Sequence, residues 1–160
     1  NDPSSPGRQY AVALFSGSAW LAVPSSTAAA LHIATNCTAS NVGKQSACGQ
    51  PAKAGDILEI FMTGLGLATP NGNPIGTPLS GAEVAPASGD PLYLTVLNPS
   101  VTIGGAAAEV LFSGLAPGYA GLYQVNVVVP GSAPQGNAIQ VLVTMPNGLN
   151  GEAPIAITTP

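Results

Sequence analysis

Charge is what this chain most lacks. Its 160 residues include three cations, Arg8, Lys44 and Lys53, and seven acids, so 6% of positions are charged and the net charge is −4. An average globular domain is about 25% charged. Three scattered cations make no basic patch to neutralise phosphates, which excludes nucleic acid as an expected partner. No apolar run reaches the roughly 18 residues of a membrane-crossing helix. The opening Asn1-Asp2-Pro3 lacks the charged and apolar regions of a signal peptide, so an exported chain is expected here in its mature form.

The residues of catalysis are equally sparse. The one histidine, His32, sits in the apolar run Leu31-His32-Ile33. Any Ser or Cys triad would need it as base, and no G-x-S-x-G motif supplies the serine. It reads as a structural or surface residue. The acids Asp2, Asp56, Glu59, Glu83, Asp90, Glu109 and Glu152 stand singly. Glycosidase chemistry needs two carboxylates facing each other, and Asp56 and Glu59, three apart on a strand, point to opposite faces. No calcium loop of the D-x-D-x-D kind is present; Asp90 with Asn71–Asn73 is the one weak alternative. The glycines of Thr63-Gly64-Leu65-Gly66 lack the following helix that presents amides to a phosphate. The expectation is no enzyme, no cofactor and no metal.

What the chain has is glycine and proline, 20 and 16 residues, within a sequence that is 46% hydrophobic. That combination predicts many short strands joined by many turns, with a surface of Ser, Thr, Asn, Gln and Gly. Residues 1–9 form a polar Pro/Ser tail of the kind usually disordered. Residues 10–23 read as two short strands broken at Ser16-Gly17-Ser18, and residues 27–34 as either a strand or a single helical turn. Asp56–Thr63 is a strand with Leu58, Ile60 and Met62 alternating against Ile57, Glu59 and Phe61. Gly64–Pro91 is a long Gly/Pro/Asn/Ser region, unusual for a compact domain, that either hides short edge strands or forms a binding loop. Further strands are predicted over residues 92–97, 100–103, 108–112, 138–145 and 154–158.

The strongest strand signal follows Gly114. In GLAPGYAGLYQVNVVVP, Tyr123, Val125, Val127 and Val129 fall on one face and Leu122, Gln124, Asn126 and Val128 on the other, the alternation of a half-buried strand. Before it, Leu115, Pro117, Gly118 and Tyr119 mark a structural corner. A Pro-Gly turn feeding a tyrosine on an inner strand is similar to the tyrosine corner of sandwich domains, with Tyr119 and Tyr123 both candidates for the bonding phenol. In all, seven or eight strands spaced about 8–15 residues apart predict an all-β antiparallel β-sandwich over residues 51–160. An N-terminal extension of short strands and a cysteine loop precedes it over residues 1–50.

Leu115, Pro117, Gly118, Gly121, Leu122, Tyr123, Gln124, Val125, Asn126, Val127 and Pro130 together resemble the signature of the uncharacterised Solibacter-type C-terminal domain, found at the ends of large secreted bacterial proteins. GDILEIFMTGLG over 55–66, VTIGGAAAEVLF over 101–112 and residues 131–143 resemble its opening strand, hairpin and return strand. The resemblance spans about residues 50–158. It implies an immunoglobulin-like sandwich and export from the cell, and carries over no catalytic residue.

Cys37 and Cys48 lie in a Ser/Asn/Gly loop. An even count in a chain expected to be exported points to a disulfide, worth about 3 kcal/mol for a loop of this size in the chain-entropy account. A metal pair, for which neighbouring histidines are missing, and a free thiol are the alternatives. Asn36-Cys37-Thr38 matches the N-glycosylation pattern, Asn98 is excluded by Pro99, and many Ser and Thr leave O-glycosylation open.

Two functions fit. The first is an extracellular structural subunit that assembles with copies of itself into a filament or surface fibre, an open sheet edge accepting a strand from a neighbour. Tyr10, Val12, Leu14 and Phe15 mark the candidate donated strand, with residues 154–158 second. The second is an adhesion module for glycan or cell-surface protein, using the Gly64–Pro91 loop and an exposed cluster of Trp20, Tyr93 and Tyr119.

Overall fold

A computed structural model describes residues 9–10, 12–73, 78–79, 83–148 and 150–158. Apart from Gln9, the polar tail expected over residues 1–9 lies outside them. In chain order the elements are β1 (Gln9–Tyr10), β2 (Val12–Phe15), β3 (Trp20–Ala22), α1 (Ser25–Ala30), β4 (Cys48–Gln50), β5 (Ile57–Met62), β6 (Ala68–Pro70), β7 (Tyr93–Thr95), β8 (Ser100–Ile103), β9 (Ala106–Leu115), β10 (Tyr123–Val128), β11 (Gly136–Thr144) and β12 (Asn150–Ile157).

The protein is all-β, built on one curled mixed sheet in the order β1-β12-β11-β8-β9-β10-β5-β2-β3-β4, with β7 and β6 branching from β9. Spacing predicts seven or eight antiparallel strands; the described residues form twelve, and two pairings are parallel, β1 with β12 and β3 with β4. The extra strands are pieces of two or three residues, too short to show alternation, inside stretches that read as loop or tail. The β3–β4 pairing runs through α1, since parallel neighbours need a crossover.

The region read as strand or helical turn resolves as α1. Leu31 caps it and His32 follows at φ 57, its N–H donating to Ala29 O (3.0 Å) while the Ile33 N–H donates to Ala28 O (3.1 Å). These two bonds form a Schellman ending, so the only histidine serves as the left-handed residue that stops a helix.

β10 occupies the centre of its part of the sheet, paired antiparallel to β5 and β9. Tyr123, Val125, Val127 and Val129 are all buried, and the alternate residues are half-buried. On β5, Leu58, Ile60 and Met62 are buried, as the alternation predicts. On β11, Val141 and Val143 are buried with the following Met145. These residues join Val101, Ile103, Leu115 and Ile155 in a single core that also takes in Ala13, Ala22 and Ala52 from the N-terminal third.

The curl happens on β9. Its first residues pair with β8 and its later ones with β10. The register skips Leu111, because Asn126 faces Phe112 and Val127 faces Val110. Such a bulge bends and twists the strand, and it carries β9 from one part of the sheet into the other. Beyond it, Gly114 faces both Leu94 of β7 and Gln124 of β10. A Cβ at Gly114 would collide with the carbonyl oxygen of Tyr93, which is backbone and cannot swing aside.

Gly114→Ala is therefore expected to cost about 1–3 kcal/mol, the usual range for overpacking. Gly131→Ala, with open space around it, is expected to stay within about 0.5 kcal/mol. Urea midpoints of the two variants against the parent check both values.

Candidate functional site

The β1–β2 segment lies across a seam in the sheet. Gln9 and Tyr10 pair in parallel with Gly151 and Glu152 of β12. After Ala11 the chain pairs antiparallel with β5, Val12 opposite Phe61, Ala13 opposite Ile60, Leu14 opposite Glu59 and Phe15 opposite Leu58. The Ser16 N–H extends the ladder to Ile57 O (2.9 Å). The segment thus touches two strands that are not neighbours of each other. Ala13 is buried, Leu14 and Phe15 are half-buried, and Val12 is 51% exposed. Nearby, Gly151 abuts the end of the Met62 side chain, so β12 and β5 approach closely where the segment crosses.

The turn after β2 is latched by one carboxylate. Glu59 Oε1 accepts from the Ser16 hydroxyl (2.8 Å) and the Gly17 N–H (3.1 Å). Gly17 has φ +67 and open space about it, and β2 meets β3 at one pair, Leu14 opposite Leu21. Sequence reasoning missed Glu59. The available signal was its place as the one charge inside an otherwise apolar strand.

The corner is a turn with Pro117 and Gly118 at its centre, closed by the Tyr119 N–H to Ala116 O (3.2 Å), with Gly118 at φ 81. That is the residue order of a type II turn. Leu115 is fully buried and Tyr119 is 64% exposed, so Tyr119 is not the bonding phenol. Tyr123 is, but its partner lies elsewhere: its hydroxyl donates to Gly66 O in the Thr63–Gly66 turn. Burial raises the Tyr123 phenol above its ordinary value. The corner also holds the long loop, through the Gly118 N–H to Ala85 O (3.0 Å).

Cys37 and Cys48 form a disulfide. Its loop is tied to β3 through the Trp20 indole N–H to Gly43 O (3.1 Å) and the Ala19 N–H to Lys44 O (2.9 Å). Asn36 and Thr38 of the glycosylation pattern are both exposed.

The residues named for chemistry are not brought together. Among the described residues, no group of three or more His, Cys, Asp or Glu could hold a metal ion. Asp56 accepts from the Lys53 N–H (2.7 Å) and so closes the turn before β5. Of the aromatics proposed for sugar, Trp20 is on β3 and Tyr93 on β7, with four strands between them along the sheet; Tyr93 packs against the core.

The Gly64–Pro91 region holds β6 and a bridge from Ala68 to Leu79; residues 74–77 and 80–82 lie outside the described residues. Around β6, β7 and β9 the surface is apolar, with Leu67, Val96, Leu97 and Leu111 exposed. Two cavities of about 300 and 330 Å³ adjoin there, sharing Leu94 and Asn98.

No protein-family model, curated protein or solved structure matches the chain.

Removing the Tyr123 hydroxyl with Tyr123→Phe is expected to cost about 1 kcal/mol at neutral pH. In alkali the folded phenol stays protonated while the unfolded one ionises at about pH 10. The stability from this group is therefore complete below pH 10 and lost as pH rises toward the folded value. The parent should lose its advantage over the variant above about pH 10, as read by denaturant titrations from pH 7 to 11. Reducing the Cys37–Cys48 bond should lower stability by about 3 kcal/mol, read as a fall in urea midpoint with and without reductant.

Proposed function

We propose that this chain is a non-enzymatic extracellular structural subunit that assembles with copies of itself into a filament or surface fibre by strand addition. The observation that carries the proposal is the β1–β2 segment. It is held across a seam by backbone pairing to β12 and β5, which is the way an added strand is held in β-augmentation.

Other features support the reading. A disulfide suits an oxidising compartment outside the cytosol. Among the described residues no helix is long and apolar enough to cross a membrane. A chain with 6% charged residues has little surface charge to keep copies apart. The finer fold belongs to the same proposal: β12-β11-β8 and β9-β10-β5 are the two facing layers of an immunoglobulin-like sandwich related to the Solibacter-type domain, elaborated by β1–β4 and by β6–β7. The motifs of residues 55–66, 101–112 and 115–130 support that relation.

A second reading, a binding module, has its own support in the apolar patch of Leu67, Val96, Leu97 and Leu111 with the cavities beside it. An apolar patch rimmed by small polar residues suits a protein surface better than a sugar. Sugar stacking would want a shared aromatic platform, which Trp20 and Tyr93 do not make.

Negative-stain electron microscopy of native material, before any denaturant, tests the proposal. Regular fibres are expected; monodisperse compact particles at every concentration would overturn it in favour of the binding reading. Deletion of residues 1–15 should leave monomers or misfolded chains, and normal fibres from that deletion would exclude the segment from the joint.

A further inference from the structure

We infer that residues 9–15 are exchanged between copies: in the assembly they leave their own seam and fill the same seam, between β12 and β5, of the next copy. This rests on the strand-addition reading above and specifies its joint, its acceptor and its hinge.

Three observations point to this segment and this acceptor. First, the groove is complementary to the segment because it already holds one. The pairs Gln9 with Gly151 and Val12 through Phe15 with Phe61 through Leu58 are all backbone ladder contacts, and a neighbour's identical segment forms them without new chemistry. Exchange of an identical element is a low-cost route to association, because closed and exchanged forms share nearly all their contacts.

Second, the segment is joined to the body by a turn that can open. Ser16, Gly17, Ser18 and Ala19 link β2 to β3. If extended, these four residues span roughly 13–14 Å, enough to reach an abutting copy. The turn is held shut by the Ser16 and Gly17 bonds to Glu59 and by the Ser18 N–H (3.1 Å) and hydroxyl (2.8 Å) donating to Phe15 O. The Ser16 and Gly17 bonds are exposed and exchange readily for water; full extension of the turn also breaks the bonds from the Trp20 N–H to Ser18 Oγ (3.2 Å) and from the Ala19 N–H to Lys44 O (2.9 Å).

Third, the rival strand, β12, is locked in place. β12 lies between β11 on one side and β1 on the other, with Ala52 bonded to Ala156 O and by the Thr158 N–H near its end. Ile155, Ala156 and Ile157 are buried. Donating β12 would strip one wall of the core, whereas donating β1–β2 removes from the core cluster Ala13 and the half-buried Phe15. The exchange continues from copy to copy when each gives its segment to one neighbour and takes one from another, rather than trading reciprocally within a pair. The contact is head-to-tail, and it propagates as an open filament unless its rotation closes a ring.

The test is a cross-link between facing positions of β2 and β5. Val12→Cys and Phe61→Cys are combined in one full-length chain, the native disulfide is left oxidised, and the two new thiols are joined by a short bis-maleimide in assembled material. Denaturing electrophoresis is expected to give a ladder of dimers, trimers and higher species, while dilute unassembled chains cross-link as monomers. Assembled fibres in which every cross-linked chain runs as a monomer would overturn the exchange and leave self-assembly to another joint. Absence of fibres from the parent chain would overturn both. Should the first pair fail to fold or assemble, Tyr10→Cys with Glu152→Cys joins the segment to the other strand of the seam, β12, and is read the same way.

Discussion

The inward row of β10 is the constraint on which the rest of the structure depends. Tyr123, Val125, Val127 and Val129 are buried between β5 and β9. Because side chains alternate with a period of two, a slip of one residue would send the whole row to the outside. Tyr123 removes the remaining freedom. Its hydroxyl reaches Gly66, 57 residues earlier in the chain, so the start of β10 and the turn after β5 are fixed to each other as well as laddered together. From that fixed pair, β9 is placed by register, and its bulge at Leu111 sets the direction in which the sheet curls toward β8, β11 and β12.

The parts legible in the sequence are those where burial imposes a period. The alternation of β5, β10 and β11 is readable because each has one face on the core. So are the Ser16–Ser18 break, the Pro117-Gly118 turn and the cysteine pair. Other features follow from tertiary contacts that leave no period. β4 and β6 are three residues each, and their strand character comes from the neighbour they meet. The partner of Tyr123 could not be read because it lies on another turn, and the two parallel pairings because they join segments far apart in sequence. The candidate site was legible as a segment, since residues 10–15 form a short apolar run before the Ser16–Ser18 break, but its setting was not. Glu59 stands out as the one charge in an apolar strand, but its partners Ser16 and Gly17 are set only when β2 lies beside β5.

Scarcity of charge shapes the edges of the sheet. Natural sheets often guard their edges with inward-pointing charges or lysines, and this chain has few to spare. It covers edges with backbone instead. β12 is covered by β1 at one end and by Ala52 at the other, β4 by Ala34, and β6 by Leu79. Each cover is short, often a single bridge, and each satisfies ladder groups that would otherwise invite another chain. Polar side chains follow the same economy. Thr95 and Ser113, both buried, bond to each other (2.9 Å), and no described buried side-chain donor or acceptor is left without a partner.

Covers made of backbone differ from guards made of charge in one respect that bears on function. A lysine on an edge repels or obstructs every incoming strand, whatever its source. A covering segment blocks the edge only while it is in place, and the site it occupies accepts an identical segment from another copy equally well. Ala34, Ala52 and Leu79 each meet one strand at a single bridge, so they act as covers. The β1–β2 segment joins β3 through a polar turn and pairs with two separate strands. It is the cover that can also serve as a connector. Local concentration then decides between the two uses. At high subunit density a neighbour's segment competes with the chain's own for the same seam, and with few like charges between copies, little opposes their approach.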